Sequence, residues 1–117
     1  MRTVNLVFSR MGRSVIPLGM EGEHGVTTVR FDLSEELEHR PNASVTIKAT
    51  SAAGVTYSPE TRLEGTTLVW PVHESDTAAR GRGEAQIIIR AEGKKEKSAV
   101  VTTVVNRSIV DKDGDPP

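Results

Sequence analysis

Apolar and polar residues alternate along most of the chain with a period of two, the mark of strands with one buried face. The cleanest run sets Ala43, Val45, Ile47 and Ala49 against Ser44, Thr46, Lys48 and Thr50. Thr27, Val29, Phe31 and Leu33 alternate in the same way with Thr28, Arg30 and Asp32. Val4, Leu6 and Phe8, alternating with Asn5 and Ser9, predict a first strand, and Leu68, Trp70 and Val72 share one side of another over Thr67–Val72. Two later segments are apolar on both faces. Ile88 joins Ala85, Ile87, Ile89 and Ala91 from the opposite side, and Val100 and Val104 oppose Ala99, Val101 and Val105. Cover on both sides implies a central position in a sheet.

The breaks in the pattern place the turns. Arg10–Gly25 holds four glycines and Pro17 and reads mostly as loop, with a short strand at Ser14–Leu18. Ser34 ahead of Glu35-Glu36-Leu37 suits one capped helical turn. Ser51–Gly54 is a turn into a return strand at Val55–Tyr57. Pro59 then interrupts, which puts that strand at an edge because proline has no N–H for a ladder. Glu64-Gly65 is a second turn. His73–Arg80 breaks the alternation: Ser75 and Asp76 suit an N-cap, and Thr77–Arg80 one short helical turn. Glu92–Lys95 reads as a hairpin turn, and Asp111–Pro117 as a polar, linker-like tail. The sum is seven or eight strands, one or two short helical turns and no long helix. Connections this short exclude a βαβ parallel sheet and predict an all-β antiparallel sandwich over residues 1–110, followed by the tail at 111–117.

Composition agrees and narrows the function classes. Val, Ile and Thr make up 32 of the 117 residues, a strand-forming bias. There is no cysteine, hence no disulfide framework, thiolate zinc site or cysteine nucleophile. A net charge of −1 offers no broad basic field, so no nucleic-acid partner is expected. The N-terminal apolar run is broken by Asn5, Ser9 and Arg10, unlike a secretory signal. No stretch approaches the roughly 20 apolar residues of a membrane span. Synthesis in a bacterial cytoplasm and no membrane partner are expected. The sequons at Asn42-Ala43-Ser44 and Asn106-Arg107-Ser108 are then chance matches.

Candidate chemistry is sparse. His73-Glu74-Ser75-Asp76 holds a base, a carboxylate and a hydroxyl, but the groups of a triad converge from separate elements and these are consecutive. Glu21, Glu23 and His24 sit among glycines and fall short of the six or more oxygens of a hard-cation site. Asp111, Asp113 and Asp115 match the first, third and fifth positions of a calcium loop, yet Pro116 stands where that loop needs glycine. Arg80-Gly81-Arg82-Gly83 and Lys94–Lys97 are basic but lack the interleaved aromatics of a single-strand binder. Gly81 and Gly83 lack the Lys-Ser/Thr of a phosphate loop. Trp70 shares a face with Leu68 and Val72, so it is expected in the core, not as a sugar platform. No catalytic residue, metal ligand or cofactor is assigned, and no enzyme activity is expected.

Several segments resemble a known family in order and spacing. They are Val45-Thr46-Ile47-Lys48-Ala49-Thr50 with the Ala53-Gly54 turn, Leu63-Glu64-Gly65-Thr66-Thr67-Leu68-Val69-Trp70-Pro71-Val72, Asp76-Thr77-Ala78, and Gly81-Arg82-Gly83-Glu84-Ala85-Gln86. Together they resemble the N-terminal module of phage baseplate upper proteins and related prophage minor structural (tail) proteins. Arg10–Met20 and Lys94–Lys97 depart from that pattern. The resemblance implies an immunoglobulin-like sandwich in a virion tail baseplate, docked on the tail hub or neighbouring subunits. It also implies homo-oligomers, trimeric in the full assembly, that help carry the receptor-binding apparatus, with host-surface glycan met only indirectly. The alternative is a carbohydrate-binding or adhesion β-sandwich module, which would need an exposed aromatic.

Overall fold

The computed structural model describes residues 2–108; the acidic tail at 111–117 and its three aspartates lie outside them. The chain forms two mixed β-sheets packed face to face, the β-sandwich that the alternation implies. In the smaller sheet, β1 (Arg2–Val7), β3 (Thr27–Asp32), β7 (Thr67–Pro71) and β6 (Arg62–Glu64) lie side by side in that order. The larger sheet runs β2 (Val15–Met20), β10 (Val101–Asn106), β8 (Gly81–Ala91), β4 (Ser44–Thr50) and β5 (Thr56–Tyr57). A further strand, β9 (Lys94–Lys97), pairs with the far half of β8.

Among the described residues ten strands are found where seven or eight are expected. Part of the excess is β9, because the turn is tighter than the sequence suggests. Ala91 pairs directly with Lys94, leaving a two-residue loop in which Glu92 (φ 52°) and Gly93 (φ 75°) are both left-handed, as a type I′ hairpin requires. The apolar run that the sequence reads as a last long strand over 98–105 starts later than expected, at Val101, and ends at Asn106. Its pairing with β8 slips by one residue between Lys97 and Val101. Ser98 bridges the slip, its Oγ accepting the Ile87 N–H at 2.9 Å while Gln86 Nε2 donates to the Ser98 carbonyl at 2.8 Å.

The short connections predict wholly antiparallel sheets, and the structure corrects this. β1 and β3 run parallel, as do β2 and β10. No helix is needed for this. The chain leaves β1, crosses to the other sheet as β2, and returns as β3, so a strand on the opposite layer acts as the crossover. Two short helical turns are present among the described residues, a 3-10 turn at Phe8–Arg10 and an α-turn, α1, at Ser34–Leu37. Ser34 is not the cap of α1: Leu33 holds that position without a side-chain bond, and Asp32 Oδ1 accepts the Ser34 N–H at 2.8 Å.

One core joins the layers. Val29, Phe31, Leu68 and Trp70 from the smaller sheet meet Ile16, Leu18, Ile47, Ile87, Ile89 and Val101 from the larger. Trp70 is 0% exposed, as its alternation with Leu68 and Val72 predicts. β8 and β10 each have neighbours on both sides, and Ile88 on the outer face of β8 is buried too, in line with their two-sided apolar pattern. Gly83 is imposed by close approach: a Cβ there would run into the Thr50 carbonyl oxygen and come within 2.8 Å of Thr103 Oγ1. The Gly-x-Gly of this segment therefore serves packing against the 50–52 turn.

Candidate docking groove

His73–Arg80, where the alternation breaks after β7, folds as irregular turns with no helix. Asp76 does not cap anything downstream. Its side chain turns back and is buried (5% exposed). Oδ1 accepts the Tyr57 hydroxyl at 2.7 Å; Oδ2 accepts Trp70 Nε1 at 3.2 Å and the His73 N–H at 2.9 Å. Three donors from three elements satisfy one buried carboxylate, the condition under which such a group is tolerated inside a protein. Burial, and the carboxylate to which it donates, push the Tyr57 phenol well above its ordinary range.

The same turn is clasped from its other side by the loop at 21–25. Thr77 is fully buried; its Oγ1 donates to the Glu23 carbonyl at 2.8 Å and its own carbonyl accepts the Gly22 N–H at 3.1 Å. The Glu74 N–H donates to His24 Nδ1 at 3.1 Å, and the rings of His24 and His73 lie 5.1 Å apart. Asp76 and Thr77 thus fix the backbone of the turn between the strands and this loop.

What the fixed turn presents is small and apolar. Ala78 and Ala79 face Ala53, Val55 and Tyr57 of the 51–57 hairpin across an open groove of about 520 Å³ that no charged side chain lines. Val55 is 60% exposed on its lip. β5 forms the rim, an edge strand of two residues, and Tyr57 ties the rim to Asp76 beneath it.

The other candidate groups do not assemble into a site. Glu23 is spent on Arg2 and on the Met20 N–H at 2.6 Å. Those two contacts, the backbone donor first, hold its carboxyl below the usual range. His73 Nε2 is 3.1 Å from Glu60 Oε2 but outside hydrogen-bond geometry, and Ser75 is exposed, so the His-Glu-Ser-Asp run brings no base to a hydroxyl. Among the described residues no three His, Cys, Asp or Glu side chains converge as metal ligands. None of the described helices is long and apolar enough to cross a membrane. Lys94–Lys97 form a charged strand in which Glu96 pairs with Arg40 at 2.6 Å.

The sequence reading assigns no binding role to the alanines or to Val55. Their signal was faint: Ala52-Ala53 and Ala78-Ala79 are paired small residues in turns, where glycine, asparagine or aspartate is commoner. Neither a protein-family model nor a curated protein matches the chain.

Proposed function

We propose that this chain is a structural docking module, of the phage or prophage tail-baseplate kind that the sequence resembles. It would seat an extended, uncharged aliphatic segment of a neighbouring tail subunit in the groove between the 51–57 hairpin and the 75–79 turn. One observation carries this reading: the groove is apolar, open and free of charged lining, yet its walls are fixed from below by the buried Asp76 and Thr77. Fixed walls lower the ordering cost of binding, and an open edge strand beside an apolar slot suits strand addition with side-chain anchors. Each contact of this size is weak, and repetition in a multi-copy particle supplies avidity. The sheet orders β1-β3-β7-β6 and β2-β10-β8-β4-β5 support an immunoglobulin-like sandwich, matching the A-B-E-D and G-F-C orders with β2 and β5 added at the two edges of the second sheet and β9 paired to the far half of β8. The parallel β1–β3 pair is the departure.

Sugar binding by stacking has no observation in its favour. Phe8, Phe31 and Trp70 are buried and Tyr57 is half-buried, so no aromatic ring stands clear as a platform.

The test is co-purification of the recombinant chain with individually expressed tail-hub and baseplate subunits. Wild type is expected to retain one of them, and Ala79→Asp to lose it while melting at the wild-type temperature. A wild-type chain that retains none, or a substituted chain that binds equally well, removes the reading.

A further inference from the structure

Among the described residues the two sheets have five open edges, and four are guarded. β9 is four residues long and every one of them is charged. β6 is three residues long and carries Arg62 and Glu64 in a mutual ion pair. β5 is two residues long, with Pro59 just beyond it. In β2 the guard is Pro17. The Thr102 N–H bonds to the Ser14 carbonyl and Val15 pairs with Thr102, so in this parallel ladder Ile16 and Leu18 turn their backbone groups toward β10. Val15 and Pro17 turn theirs outward, and proline has no N–H to offer there. Short length, charge and proline are the usual means by which sheet edges avoid pairing with other chains.

β1 has none of them. It is six residues long, and between Thr3 and Val7 it has no charge, proline or glycine. Arg2 N–H donates to the Val26 carbonyl at 2.8 Å, which sets the phase of the ladder with β3. Arg2, Val4 and Leu6 bond inward to β3, while Thr3, Asn5 and Val7 direct their N–H and C=O groups to the unpaired side. The core is also incomplete at this margin. Val4 and Leu6 pack against the buried cluster but remain partly exposed.

We infer that β1 is the pairing edge for a second copy of this chain, joined antiparallel about a two-fold axis through Asn5. Only one register satisfies both the backbone and the side chains over the full strand. Hydrogen-bonded partners must be outward-facing residues, so Asn5 lies opposite Asn5 of the other copy and Thr3 opposite its Val7. Val4 then falls opposite the other Leu6, which completes the burial of both. The two Asn5 amides meet on the polar face, and the single charge of the strand, on Arg2, stays at the outer end of the ladder. An uncharged edge whose apolar residues meet each other under its own two-fold symmetry fits a copy of itself, and an isologous pair is the commonest closed assembly. The two small sheets would merge into one of eight strands. This contact is two-fold and lies away from the groove, so it does not depend on the docking proposal.

Sedimentation velocity of the full chain over a concentration series tests it. Wild type is expected to form a reversible dimer. Asn5→Lys places like charges across the axis and should weaken the dimer at least about tenfold. An equimolar mixture of the Asn5→Lys and Asn5→Asp chains should restore it. Asn5→Pro deletes an N–H that β3 does not use and should abolish the dimer with the melting temperature changed little. A chain that stays monomeric up to about 1 mM, or an oligomer indifferent to Asn5→Lys and Asn5→Pro, overturns the inference. Loss of hub binding by Ala79→Asp with the dimer intact separates this contact from the groove.

Discussion

The two ends of the larger sheet differ in what they hold out to solvent. At one end the β8–β9 hairpin extends Lys94, Lys95 and Glu92 beside Arg90 and Arg40, around hollows of about 370 and 270 Å³ whose lining residues are mostly charged. At the other, Ala53, Val55, Ala78 and Ala79 surround a larger hollow with no charge at all. The hairpin end is held by ladder bonds and a tight I′ turn, and its side chains are free to be solvated. The groove end is held by a buried carboxylate and a buried threonine. A surface made rigid from beneath and left apolar on top is arranged for contact, whereas a charged, solvated tip discourages it.

The comparison is broken most severely through Asp76. Asp76→Ala leaves Trp70 Nε1, the Tyr57 hydroxyl and the His73 N–H without their acceptor, two of them in or near the core. A loss of about 3 kcal/mol or more is expected in urea denaturation, and partner binding should fall with it. Gly83→Ala follows. Its Cβ meets backbone rather than a movable side-chain end, and a loss of about 2 kcal/mol is expected from the same measurement. Tyr57 gives a pH test. Its phenol is raised in the folded state, so the unfolded chain releases that proton first. This part of the stability is fully present below the ordinary tyrosine value of 10.0 and declines as pH rises through it. Tyr57→Phe should cost about 1 kcal/mol at neutral pH and flatten the decline that sets in above pH 10.0. The smallest effect belongs to the hairpin end. Lys94→Ala and Lys95→Ala should each change stability by less than about 0.5 kcal/mol and leave partner binding unchanged.

Much of the sandwich was legible because alternation reports burial directly. Ile47, Ala49, Phe31 and Trp70 lie inward where their period places them, and the two-sided runs became the central strands β8 and β10. Pairing direction was not legible. Nothing in the residues of β1 or β2 states that their neighbours run parallel, because that depends on which layer the chain enters next. The strand at Lys94–Lys97 was hidden by its charge, which suits a solvated two-stranded ribbon as well as a turn. The residue type and place of Asp76 suggest a cap. Its real partners, Tyr57 and Trp70, are 19 and 6 residues away, and local sequence does not show such contacts. The groove was hardest to see, since alanine and valine in turns look like any other small residues until two turns meet.

Titration calorimetry of the purified chain into the co-purifying hub subunit tests the central claim most directly. Wild type and Lys95→Ala are expected to bind alike with a negative heat-capacity change, the mark of buried apolar surface. Ala79→Asp and Val55→Asp, folded to the wild-type melting temperature, are expected to bind at least about tenfold more weakly. Binding lost in Lys95→Ala and kept in Ala79→Asp would place the contact at the charged end and contradict the account.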